Sequence, residues 1–241
     1  MTGQKLTERI EAAKRRAVVP ISGFPVGAVA VGSTGRAYEG FNIEFPGCEP
    51  ALTVHAEICA VTRAFQAGER AVDSLYVTET PCGHCRQFLW ELSCRKTLKV
   101  FLPDGSLSLE DLLPFPFSLR EGSGFLGHET VSIRPLTDED ELTALAREAA
   151  EKSYCPYSAA RRGAALRGVG GTVWCGSAAE NAAYNPGVTA VQAALIARGG
   201  SSEAVSSAVL FETAGGFSEE MLFAGAISTL WPDASLTYRR G

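Results

Sequence analysis

Two short motifs, His55-Ala-Glu57 and Pro81-Cys82-Gly-His-Cys85, hold the side chains best equipped for chemistry: one imidazole, two thiols and a carboxylate. Thiolate and imidazole are donors that zinc favours, and Cys82 and Cys85, three apart, share one face of a helix. His55 would be the third ligand. Each motif opens a predicted helix, so two helix N-termini would aim at the ion, and their partial positive charge favours the thiolate forms. A structural zinc site is normally closed by four protein ligands, so three leave a position for water. Water bound there has its pKa lowered from about 15.7 toward about 7, which makes hydroxide available at neutral pH. Glu57, two residues from a ligand and not itself one, is placed to shuttle protons for a hydrolysis. One zinc ion per chain is the implied cofactor.

A structural zinc knuckle is the competing reading of a C-x-x-C with a distant histidine. It lacks a fourth ligand. Cys59, one turn after His55, is the nearby candidate, but a buried small hydrophobe is the simpler expectation for it. His84 should point away from the face shared by its flanking cysteines, and His128 falls in a linker. The seven cysteines (48, 59, 82, 85, 94, 155, 175) are odd in number and irregularly spaced, which suits metal ligands plus buried thiols and gives no reason to expect disulfides.

The elements that must hold these residues alternate. Apolar positions at helical spacing over 5–18 (Leu6, Ile10, Ala13, Ala17) end at Pro20 and precede a strand at 26–31. A second strand at 37–43 leads into a Pro/Gly-rich loop at 45–50. A helix at 53–67 closed by Gly68, a strand at 74–79, a helix at 82–93 and a strand at 98–102 follow. This order predicts an α/β fold, a mixed sheet layered with helices. Past a Pro/Phe/Gly-rich segment at 103–129 the pattern begins again near Leu136, which implies an internal duplication with domains at 1–134 and 135–241. Gly40–Glu44 (GFNIE) matches Gly176–Glu180 (GSAAE), and Val77–Thr80 (VTET) matches Leu210–Thr213 (LFET). In that register His55-Ala56-Glu57 falls opposite about Val191-Gln192-Ala193, Cys82 opposite Gly215 and Cys85 opposite Ser218. The second copy therefore has none of the zinc or proton-shuttle residues.

A formal net charge of −5 suits a small uncharged ligand better than a nucleic-acid polymer, whose binding relies on neutralising phosphates with Lys and Arg. The basic clusters Lys14-Arg15-Arg16 and Arg161-Arg162 read as solvated faces within mixed charge. No apolar run nears the roughly 18 residues that span a bilayer, and the first seventeen residues contain no apolar signal segment. No membrane association and a cytoplasmic location are the expectations.

His-x-Glu followed by Pro-Cys-x-x-Cys is a signature of zinc deaminases. Five further blocks accompany it: Phe24-Pro-Val-Gly-Ala28, Asn42-Ile-Glu-Phe-Pro46, Arg86-Gln-Phe88 directly after the cysteines, Ser153-Tyr-Cys-Pro-Tyr-Ser158 and Glu180-Asn-Ala-Ala-Tyr-Asn-Pro186. With these the chain resembles the cytidine deaminases, nearly end to end. It is most similar to the larger homodimeric type of bacteria and plants, in which a catalytic domain precedes a degenerate, non-catalytic copy. The resemblance implies hydrolytic deamination of cytidine and 2′-deoxycytidine to their uridine counterparts in pyrimidine salvage. It implies that Phe24 stacks on the pyrimidine, that Asn42 and Glu44 hold the ribose hydroxyls, and that backbone groups at Ala56 and Thr80 read the base edge. Phe117 matches an aromatic reaching the ligand of a partner subunit, with Phe115 and Phe125 as neighbours able to substitute. Tyr184-Asn185-Pro186 of the degenerate copy would take the place of a second catalytic subunit. The single helix before the first strand is shorter than the resemblance implies, which bears on the packing of that edge.

A carboxylate accepts hydroxyl hydrogen bonds but repels phosphate, so Glu44 favours a free nucleoside over a nucleotide or polymer. A modified cytosine nucleoside would keep the same catalytic residues. A non-catalytic zinc scaffold would have no use for Glu57, and the second copy shows a site from which that need is gone.

Overall fold

The computed structural model describes residues 3–119 and 124–241, which fall into two compact units. In the first, the small apolar sequence Gly-Ala-Val-Ala-Val-Gly forms the buried central strand β1 (Gly27–Gly32). It pairs antiparallel with β2 (Ala37–Phe41) and with β3 (Val72–Val77). β3 runs parallel to β4 (Lys99–Leu102), and β4 pairs antiparallel with β5 (Gly105–Ser108), giving the order β2-β1-β3-β4-β5. A strand apolar on both faces must be covered on both. Glycines show how: a Cβ at Gly27 would overlap the backbone of helix α1 (Gly3–Lys14), and one at Gly40 would overlap Ala56 O and Ala60 N of helix α2 (Ala56–Gln66). Gly27 lies opposite Phe41 and Gly40 opposite Ala28, so the two contacts occupy alternate pairs and the helices lie on opposite faces. Helix α3 (Gly83–Trp90) follows β3, and helix α4 (Leu109–Leu112) follows β5.

The second unit repeats this plan. Strands β6 (Arg162–Gly168), β7 (Val173–Ser177), β8 (Val205–Glu212) and β9 (Ser235–Arg240) have the order β7-β6-β8-β9, with only the β8–β9 pair parallel. Helices α5 (Glu141–Glu151), α6 (Ala190–Arg198) and α7 (Glu220–Leu230) accompany them. Gly163 and Gly176 admit the backbones of α5 and α6 as Gly27 and Gly40 admit those of α1 and α2. Ala28 faces Gly40 and Val77, and Ala164 faces Gly176 and Leu210, so the sequence-derived anchors hold in the hydrogen-bonded register. Even the bulge recurs, at Val31/Gly32 and at Arg167/Gly168.

Several expectations are corrected. Helix α2 starts at Ala56, not 53, because Val54 exchanges backbone hydrogen bonds with Ile43 and keeps the chain extended up to His55. The second copy of that bridge joins Ala179 and Val188, so Thr189-Ala190-Val191, not Val191-Gln192-Ala193, stands opposite His55-Ala56-Glu57. Nine residues separate Glu44 from Val54 but seven separate Glu180 from Val188, which accounts for the shift of two. The stretch 103–129 contains β5 and α4, built on a Pro103-Asp104 hairpin and a capping box between Ser108 and Asp111. Arg162 is not on a solvated face but is 5% exposed.

Neither unit is continuous in sequence. The first comprises Met1–Glu44, Thr53–His128 and Asn181–Pro186, and the second comprises Phe45–Leu52, Glu129–Glu180 and Gly187–Gly241. In the second, Leu52 joins a core of Leu166, Val191, Leu195, Leu210, Phe223 and Ile227, and the Gln192 side chain donates to Ala51 O at 2.7 Å. Among the described residues no helix is long and apolar enough to cross a membrane.

Candidate metal centre

His55 and Cys82 are the N-cap residues of α2 and α3, both in extended backbone, and neither uses its side chain to cap its helix. The side chains are free to converge. His55 Nδ1 lies 3.4 Å from Cys82 Sγ and 3.3 Å from Cys85 Sγ, and the three donor atoms lie within 4.8 Å of one another. With Zn–N near 2.05 Å and Zn–S near 2.3 Å, a tetrahedral N–S edge is about 3.6 Å, so the donor set fits zinc closely. Two helix N-termini meet at this cluster, as the sequence motifs imply.

Protonation follows from the same contacts. Hydrogen bonds from Cys85 and His55 lower the Cys82 thiol to about 3, while the Cys82 sulfur and burial push Cys85 well above its ordinary value. His55 is raised, chiefly by its hydrogen bond to Cys82. Without metal the cluster therefore retains protons that metal binding must expel. Glu57, buried in the first turn of α2, is raised by desolvation, and its carboxyl contacts the Cys85 thiol. Cys59 is buried, outside the cluster, and its thiol faces the Phe41 backbone and Arg63. His84 is exposed with its ring 5.7 Å from that of His55, and His128 Nδ1 bonds Phe125 O at 2.7 Å.

Glu44 Oε2 accepts the N–H groups of Ile21 (2.7 Å) and Ser22 (3.0 Å). Its carboxyl is lowered, first by the Ser22 side chain. Asn42 clamps the segment before β1, with Oδ1 accepting Val26 N–H at 2.8 Å and Nδ2 donating to Phe24 O at 2.9 Å. Phe24 presents its ring at 56% exposure. Ala56 is buried at the first position of α2. Thr80 is exposed and lines a cleft with Thr78, Leu102 and Ser106. Phe117 and Phe115 are exposed, whereas Phe125 is buried between Phe65 and Phe88.

Sequence reasoning gave no role to Gln87 or Ser22. Gln87 Nε2 donates to Phe117 O (2.8 Å) and its Oε1 accepts Phe117 N–H (3.2 Å), while its backbone oxygen accepts from Asn181 Nδ2 (2.9 Å). It ties the Phe117 loop to the helix that carries the cysteines. Ser22 Oγ accepts Phe24 N–H at 3.1 Å. The available signal was position alone: one stands two residues after Cys85 and the other two before Phe24.

Residues 1–100 and residues 98–221 each match a family model described as "Cytidine and deoxycytidylate deaminase zinc-binding region". The chain is 42% identical to the cytidine deaminase of Photorhabdus laumondii over 81% of its own length and 68% of that protein. It is 44% identical to that of Serratia proteamaculans over 81% and 68%, and 37% identical to that of Vibrio cholerae over 91% and 77%. With both halves matched, and the His55, Cys82 and Cys85 cluster gathered in the first, the chain belongs to the cytidine and deoxycytidylate deaminase family.

Proposed function

We propose that this protein hydrolyses the 4-amino group of free cytidine and 2′-deoxycytidine, releasing ammonia and the uridine counterpart, as a pyrimidine-salvage enzyme. The observation that carries this reading is the buried Glu57 beside a donor set that, among the described residues, numbers three. His55, Cys82 and Cys85 would hold zinc, which supplies an activated water when bound. Glu57 would take one proton from the attacking water and deliver it to N3 of the pyrimidine, then take the second proton of the same oxygen, now on C4, and give it to the departing amine, so that ammonia leaves as the C4 carbonyl forms. A carboxyl raised by burial is suited to carrying a proton in both directions.

The remaining residues position the substrate. Phe24 offers a flat apolar face to the base. Glu44, kept ionised by the Ser22 side chain and the N–H groups of Ser22 and Ile21, accepts ribose hydroxyls and rejects an esterified oxygen. Asn42 reaches the same hydroxyls while fixing the Phe24 backbone, and the Ala56 and Thr80 backbones read the base edge. Phe117, held by Gln87, reaches the cavity of a partner subunit in a cytoplasmic homodimer. In this reading residues 1–134 form the catalytic domain and residues 135–241 the degenerate copy.

The test compares cytidine, deoxycytidine, cytidine 3′-monophosphate and a short single-stranded oligonucleotide. Turnover of the two nucleosides, with the phosphate ester and polymer at least tenfold slower in kcat/KM, is the expected pattern. Equal or faster turnover of the esterified substrates would remove the role given to Glu44.

A further inference from the structure

The second unit keeps part of the hydrogen-bond arrangement around Glu44 in the first. Glu180 Oε2 accepts the N–H groups of Tyr157 (2.9 Å) and Ser158 (3.1 Å), as Glu44 accepts those of Ile21 and Ser22. Ser158 Oγ accepts Ala160 N–H at 3.1 Å, as Ser22 Oγ accepts that of Phe24. Ala190 opens α6 as Ala56 opens α2. What lies between these fixed points differs. Arg162, which stands where Val26 stands in the first unit, donates from Nη2 to Glu180 Oε1 (2.8 Å), from Nε to Glu219 Oε1 (2.8 Å) and from Nη1 to Ser158 Oγ (3.2 Å). Glu219 Oε2 in turn accepts the Ala190 N–H at 2.7 Å. Arg162, Glu180 and Glu219 are all buried.

We propose that the second unit contains a built guanidinium site, filled from within by Arg162, in the space corresponding to the first unit's nucleoside cavity. That correspondence rests on the function proposed above, but the guanidinium site itself does not. A planar fork with five donors matches two buried carboxylates and a hydroxyl, which a neutral nucleoside would not. The relay Glu180–Arg162–Glu219–Ala190 N–H ties the 157–158 turn to the start of α6. It holds the unit together where the first unit would use metal and ligand. An empty site of this composition should take a free guanidinium ion.

The experiment uses the full chain carrying Arg162→Ala, melted with low-millimolar guanidinium chloride or with equal sodium chloride. Stranding two buried carboxylates should lower Tm by roughly 6–20 °C. Guanidinium should then restore part of the loss, although the same salt leaves the wild type unchanged or lowers it. A variant that melts with the wild type, or a guanidinium response equal in both proteins, overturns the proposal. If the variant does not fold, the wild type decides: the Arg162 Nε–H, followed by NMR hydrogen exchange, must be protected, and rapid exchange overturns the proposal. Rescue in a protein that fails to turn over cytidine would support the guanidinium site and remove only the identity of the cavity it mirrors.

Discussion

Two carboxylates of the first unit stand in opposite surroundings. Burial raises Glu57 toward the protonation range of a proton shuttle, whereas Ser22 and two backbone N–H groups hold Glu44 ionised. Oε2 of Glu44 takes both backbone donors, and the Ser22 side chain also bonds the carboxylate. Hydrogen bonds to a charged group contribute about 1.5–3 kcal/mol, so Glu44→Ala should lower kcat/KM for cytidine by about 10- to 150-fold. With 3′-deoxycytidine the same substitution should cost much less. Steady-state kinetics on both substrates checks this, and an equal loss on both would assign Glu44 to shaping the 21–24 segment.

Among the elements, helix α2 carries His55 at its cap and Glu57 in its first turn, and Gly40 lets it lie directly on β2. A Cβ there must push the helix away, and overpacking costs about 1–3 kcal/mol. Gly40→Ala should therefore lower Tm by roughly 2–12 °C and weaken zinc retention, measured by melting and metal analysis. Gly176→Ala makes the same collision with α6 and should cost comparable stability with zinc content unchanged. The second unit also has its own pH dependence. Burial raises Glu219 to about 7, against the opposing cation of Arg162 and with Glu212 adding to the rise. Glu212 itself accepts Glu219 N–H and the hydroxyls of Ser218 and Tyr238, and Glu180 faces the other side of Arg162. Because the folded state binds this proton more tightly than the unfolded chain, its stabilisation is complete below about pH 4.5 and is lost as pH rises through about 7. Glu219→Gln should flatten the fall in Tm between about pH 5 and pH 8. An unchanged slope would place that titration elsewhere.

Across the whole molecule, the features legible in the sequence were those encoded locally. The residues that could hold a metal open two helices within short motifs, and the duplication shows through glycines that backbone packing demands in both copies. Long-range features were hidden. Gln87 matters through Phe117, thirty positions away, and Arg162 looked like surface charge because its carboxylate partners lie 18 and 57 positions onward. Strand β5 and helix α4 were obscured by a Pro/Gly-rich composition that reads as linker. At this scale an acidic chain with one three-ligand metal cluster among its described residues is read as an enzyme for free nucleosides. The most direct test follows cytidine absorbance and bound zinc in the wild type beside Glu57→Ala. Equal zinc in both proteins, with turnover reduced at least a thousandfold in the variant, is the predicted result. Comparable turnover in the variant, or a wild type that binds zinc and leaves cytidine intact, would contradict it.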